Sequence, residues 1–129
     1  MKKNKIGVVG KNPAFAVNQY GLVFNAALLP NVSGVRIQSN APGNLIITWI
    51  DNSYRKMAGP FDIVFFSVFE EKSNTWVDVT DAALRMDAIC LLDASCFKGQ
   101  EVEIYITVCS EDGTIFSDPL ILKKIRVRT

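Results

Sequence analysis

The chain contains no histidine. That absence removes the commonest general base and the commonest protein metal ligand. Ser-His-Asp and Cys-His nucleophilic machinery, and the HExxH zinc motif, are therefore impossible within these 129 residues. Cysteine is scarce. Cys90, Cys96 and Cys109 are odd in number and lack a CxxC spacing. This argues against a disulfide framework and a structural zinc site, and three free thiols are expected. Apolar runs stay well short of the roughly 18 residues a membrane-spanning helix needs, so no membrane insertion is expected. Lys2, Lys3 and Lys5 could open a signal peptide, but the apolar stretch after them ends at Lys11. It is too short for a signal core, so no export signal is read.

Cofactor motifs are incomplete. Ile6-Gly-Val-Val-Gly10 has the look of a first dinucleotide-binding strand, yet it lacks the third glycine and runs into Asn12-Pro13. The pyrophosphate needs GxGxxG opening a helix. Gly7, Gly10 and Lys11 also lack the spacer and the following Ser/Thr of a phosphate loop. Asp78, Asp81, Asp87 and Asp93 fall near loop ends without the DxDxDG spacing of a calcium loop, and they read as turn formers. Asn31-Val-Ser33 matches a glycosylation acceptor and reads as a turn. No catalytic, cofactor-binding or metal-ligating residue is assigned, no cofactor is expected, and the protein reads as a non-enzyme.

Charge is nearly balanced but unevenly placed. Lys2, Lys3, Lys5 and Lys11 sit at one end, and Lys123, Lys124, Arg126 and Arg128 at the other. All thirteen acids lie between them. A basic tail can meet nucleic acid or another polyanion, but it is more often a solvated end.

What is present is strand periodicity and enough apolar residues for a core. Leu45, Ile47 and Trp49 alternate along Leu45–Ile50, and Val102, Ile104, Ile106 and Val108 along Glu101–Ser110. Such segments close a core between two sheets. Further strands are expected at Val32–Ser39, Phe61–Glu70, Thr75–Thr80, Ala88–Leu92 and Leu120–Val127. A strand near Leu22–Phe24 competes with a short helix over Asn25–Leu29. Phe61–Glu70 is apolar on both faces, as in a central strand or one with a bulge. Asp81–Asp87 (Ala82, Ala83, Leu84, Met86) has helical character and reads as a connecting turn. Ile115–Phe116 is expected to begin the last hairpin arm. Trp49 is placed in the core; Tyr54, Trp76 and Tyr105 are placed outward or half exposed.

This order predicts an all-β, two-sheet sandwich of seven to eight strands over residues 20–129. Residues 1–19 form an N-terminal extension, either flexible or an edge strand. Ala41-Pro-Gly-Asn-Leu-Ile-Ile-Thr-Trp49 resembles the second strand of fibronectin type III and immunoglobulin-like domains, with its core tryptophan. The alternation from Val102 to the turn glycine Gly113 resembles the sixth. The corner tyrosine of that family falls at Val102, and Tyr105 is out of phase by one. Leu28–Gly34, Thr48–Ser53 and Ser110–Gly113 also resemble an uncharacterised bacterial family of unknown function, known mainly from Bacteroidetes. Its members are longer at the N-terminus. The resemblance implies no activity and no site residues. The function read from all this is a non-enzymatic interaction or structural module with a protein or polysaccharide partner. The alternative is polyanion binding through the basic termini.

Overall fold

The computed structural model describes residues 3–5, 7–9 and 29–129. Among them nine strands form two sheets: β1 (Lys3–Lys5), β2 (Gly7–Val9), β3 (Ser33–Ala41), β4 (Asn44–Ile50), β5 (Ile63–Glu70), β6 (Thr75–Leu84), β7 (Ile89–Asp93), β8 (Glu101–Cys109) and β9 (Leu120–Arg126). One sheet has the order β1-β7-β4-β3, the other β2-β6-β5-β8-β9. Only β1 runs parallel to its neighbour, with Lys5 opposite Asp93; every other pairing is antiparallel. The consecutive short strands β1 and β2 thus pair at the edges of different sheets.

The alternating segments do what their period requires. Leu45, Ile47 and Trp49 point inward from β4, and Val102, Ile104, Ile106 and Val108 from β8, all nearly inaccessible. They meet between the sheets with Val64, Phe66 and Val68 of β5 and Leu92 of β7. The Trp49 ring lies 6.2 Å from that of Phe66, one ring from each sheet. Val102, where a corner tyrosine is usual, is buried, and Tyr105 is half-buried.

β5 is central, between β6 and β8, and its register against β6 shifts between Val64 and Phe66. Phe61 lies outside it and is exposed. The reading of Asp81–Asp87 as a connecting turn is corrected: β6 continues to Leu84, pairing Ile63 with Leu84 and Val64 with Ala83. Ala82 and Ala83 are buried as strand residues, and only Arg85–Asp87 forms a turn of 3₁₀ helix. The bulge lies on β6, where Thr80, Asp81 and Ala82 stand against the single residue Phe65 of β5; it lets β6 resume pairing at Ala83, which local helical propensity does not foresee. The second correction concerns Ile115–Phe116. It forms no strand, only a single bridge from Phe116 to Cys109, because Ser110 and Asp112 take up the neighbouring turn donors. The readings at Leu22–Phe24 and Asn25–Leu29 lie outside the described residues, Leu29 excepted.

Candidate functional site

The sandwich has two unlike ends. One gathers residues 30–32, 51–62, 85–88 and 110–118, as the pairs Ser33–Ile50, Thr48–Ile89 and Ile63–Cys109 require. The other gathers the Ala41–Asn44 turn, the β5–β6 hairpin, the loop from Ala94 to Gln100, and the C-terminal residues.

The first end is built on Arg85, whose side chain is completely buried. Its Nε donates to Asp62 Oδ2 at 2.9 Å. Nη1 donates to Asn52 Oδ1 at 2.6 Å and to the Asn31 carbonyl at 3.4 Å; Nη2 donates to the Pro30 carbonyl at 2.6 Å. A guanidinium suits this post because it presents donors in a fixed planar fork. Its backbone is used too. Arg85 N donates to the Asp62 carbonyl, and the Arg85 carbonyl accepts the Trp49 indole N–H at 2.8 Å. Asn52, also buried, donates to the Asn31 carbonyl, and Asn31 Nδ2 donates to the carbonyls of Ile106 and Asp118. The potential glycosylation amide is therefore a structural tie.

On this base stand large apolar side chains in water. Tyr54 is 84% exposed, Met57 48%, Phe61 47% and Met86 43%. They form one neighbourhood through the backbone. Met86 N donates to the Pro60 carbonyl, Gly59 N to Asp62 Oδ2, and Arg55 N to the Asn52 carbonyl. Met57 holds a left-handed backbone, φ 73°, which turns the loop. Of these four, only Tyr54 stands out in the sequence as an outward aromatic. Arg85 gives one local signal, a lone cation at the close of the apolar Ala82–Leu84 stretch.

The other end is polar. A cleft of about 210 Å³ is lined by Glu70, Glu71, Lys72, Gln100, Glu101 and Arg126, among others. Its groups are largely engaged. Glu70 accepts from the Ser73 hydroxyl and from the amides of Lys72 and Ser73. The Ser73 hydroxyl bond leads in holding its carboxyl below the usual range. Arg126 lies 3.6 Å from Glu101 and donates to the Gly99 carbonyl; Arg128 donates to the Asn40 carbonyl. Arg126 and Arg128 are thus tied to the backbone, and Arg126 also faces an acid.

The outer face of the five-stranded sheet holds Phe69 stacked on Trp76 at 4.4 Å, with Tyr105 at 5.2 Å from Trp76. All three are half-buried by this cross-strand packing. Beside them burial raises the Asp78 carboxyl, although Ser67 donates a hydrogen bond to it. The structure does not bring Asp78, Asp87 and Asp93 together. Asp78 lies mid-sheet, Asp87 accepts from Leu84 N, and Asp93 accepts from Ser95. Asp81 stands within β6. Among the described residues no group of three or more acids and cysteines could hold a metal ion, and no helix is long and apolar enough to cross a membrane. Cys90 and Cys109 are buried and Cys96 is exposed.

Two largely antiparallel sheets packed around an inward tryptophan on β4 define a fibronectin type III-like sandwich. The fold is similar to the fn3 domain of the human collagen alpha-1(XX) chain, with a TM-score of 0.52 and 11% identity over 78% of this chain and 87% of that one. A structure described as "Myokine structure" aligns at a TM-score of 0.44 and 15% identity, over 74% of this chain and 97% of that one. No curated protein matches the chain. The chain belongs to the family described as "Family of unknown function (DUF6266)", whose model matches residues 2–122.

Proposed function

We propose that this protein is a non-enzymatic binding module that engages a protein partner through the end of the sandwich built on Arg85. One observation carries the reading: Tyr54, Met57, Phe61 and Met86 stand in water on a base fixed by a fully buried guanidinium. Aromatic residues and methionine are enriched in protein interfaces, and rigid presentation limits the ordering entropy that binding costs. A polysaccharide partner draws less support, because the half-exposed aromatics Phe69, Trp76 and Tyr105 pack on one another. Polyanion binding through the termini draws less again, because Arg126 and Arg128 are committed to Glu101 and to backbone carbonyls.

The test is site-specific photo-crosslinking in the native host. A photoreactive residue at position 54 is expected to give one adduct of defined mass that protease removes. The adduct should disappear with Phe61→Ser. A probe at Glu71, on the opposite end, should give none. Equal labelling from both positions, or no adduct from position 54, refutes the reading.

A further inference from the structure

The exposed apolar side chains of the Arg85 end stand among charges of mostly one sign. Arg85 and Asp62 are both buried and paired at 2.9 Å, so they add nothing to the surface. Among the described residues, the exposed charges of this end are five acids, Asp51, Asp87, Glu111, Asp112 and Asp118, and two cations, Arg55 and Lys56. Five against two leave −3 on one end of a chain whose formal total is +1. The opposite end has the other balance, with Lys72, Lys98, Arg126 and Arg128 against Glu70, Glu71 and Glu101.

The acids come from three connections and flank the apolar group. Asp51 opens the β4–β5 connection three residues before Tyr54, and Asp87 follows Met86. The Ile63–Cys109 pair sets the start of the β8–β9 connection, with Glu111 and Asp112, beside residues 61 and 62. The Asp118 carbonyl accepts from Asn31 Nδ2, and the Asn31 carbonyl accepts from Asn52 Nδ2 and Arg85 Nη1. Asp118 is thus one side chain away from the buried base. Hydrogen bonds do not spend these charges. Ser53 donates to Asp51, Ser110 and Thr114 to Asp112, and the Leu84 amide to Asp87. All these donors are neutral and favour the ionised carboxylate. The Ser53 hydroxyl leads in holding the Asp51 carboxyl below the usual range, and that of Ser110 does the same for Asp112. Among the described residues the carboxylates of Glu111 and Asp118 have no hydrogen bond or ion pair.

We infer that the partner is a protein segment that carries Lys or Arg beside aliphatic or aromatic side chains. Its apolar residues cover Phe61, Met86 and Met57, and its cations face Asp87, Glu111 and Asp118. This rests on the reading of this end as a protein-binding surface and adds the sign of charge that the partner presents. An acidic segment would meet five like charges for two opposite ones. Charges at the margin of an interface chiefly govern encounter rate and choice of partner, whereas the apolar centre governs lifetime. Salt screens the first and spares the second.

The probe is a displayed library of random dodecamer peptides selected on the full chain at low salt, with the best sequences retested as synthetic peptides by fluorescence anisotropy. Selected sequences are expected to carry Lys or Arg beside Leu, Ile or Phe. Their affinity should fall about fivefold or more between about 0.05 and about 0.5 M salt. Glu111→Lys with Asp118→Lys should weaken binding about tenfold, and a peptide with its cations changed to glutamate should recover it. Arg55→Glu with Lys56→Glu should move the basic peptide the other way, to tighter binding. All four positions are exposed, so the urea midpoints should stay at the parent's value, which separates lost binding from lost fold. Selected peptides of acidic or purely apolar sequence, no binding sequences at all, or affinity unmoved by both charge reversals would each overturn the inference. Head-to-tail self-association of the full chain that Phe61→Ser abolishes would put a second copy in the partner's place and overturn it too. Phe61→Ser tells the two claims apart. If it abolishes peptide binding while charge reversal does not, only the partner's chemistry is wrong. If binding survives it, the site itself is wrong.

Discussion

Arg85 is the residue on which the most structure depends. Its guanidinium and backbone tie residues from four separate stretches: Pro30 and Asn31, Trp49, Asn52, and Asp62. Replacing it with methionine leaves the Asp62 carboxylate buried beside an apolar chain. Breaking a buried pair this way costs about 3–5 kcal/mol. Arg85→Met should lower the urea midpoint accordingly. Arg85→Lys should recover only part of the loss, because a point cation cannot fill a planar fork. Midpoints equal to the parent's would show that the network contributes no stability. Asp112 provides a pH readout at the same scale. Hydrogen bonds from the Ser110 hydroxyl, then from the Thr114 hydroxyl and amide, lower its carboxyl to about 2. An unfolded aspartate titrates near about 3.9. The folded value is depressed, so this contribution is complete above the unfolded value and is lost as pH falls toward the folded one. An NMR titration should find the Asp112 carboxyl near the lower value. Asp112→Asn should flatten the acid limb of the stability curve between pH about 4 and 2. A normal titration would mean that the turn is open in solution.

At the scale of elements, the strands are held to register by a few unusual backbones. Lys124 in β9 adopts φ 60°, next to the register shift between Val102 and Ile104. A left-handed conformation costs an L-residue about 1–2 kcal/mol, and bulges of this type usually place glycine there. The Lys124 side chain is exposed. Lys124→Gly should therefore raise stability by about 0.5–1 kcal/mol after glycine's own entropic cost, read from the urea midpoint. A loss would mean that the lysine stem packs on the sheet. The same elements show why parts of the fold were legible in sequence. β4, and β8 as far as Ile106, bury every second side chain, so their period of two survives in the residues themselves. The last third of β6 was not legible. Ala82, Ala83 and Leu84 carry a helical propensity that only pairing with Ile63 and Val64 overrides. Of the candidate site, Tyr54 could be read, because an aromatic in a polar loop has few ways to be buried. Arg85 could not. Its burial depends on acceptors at positions 30, 31, 52 and 62, which only the closed sandwich brings to one place.

At the scale of the molecule, the arrangement divides labour between a loop end that displays side chains and sheet edges that must be kept from pairing with other molecules. β1 covers the edge of β7, and β2 covers the edge of β6. Among the described residues the main core runs from Leu29 to Val127. Removing residues 1–9 should leave a folded, cooperative sandwich, because the ladders that join β3, β4 and β7, and β6, β5, β8 and β9, do not pass through β1 or β2. It should still be weaker, on the order of 2 kcal/mol, through the loss of short ladders whose hydrogen bonds contribute about 0.5–1.5 kcal/mol each. The uncovered edges of β6 and β7 then present unpaired N–H and C=O groups, which recruit further strands. Sedimentation velocity should show concentration-dependent self-association of the truncated chain and a single species for the full one. A truncated chain that stays monomeric with an unchanged urea midpoint would mean that β1 and β2 do not guard these edges. One that unfolds would place them among the elements the core requires.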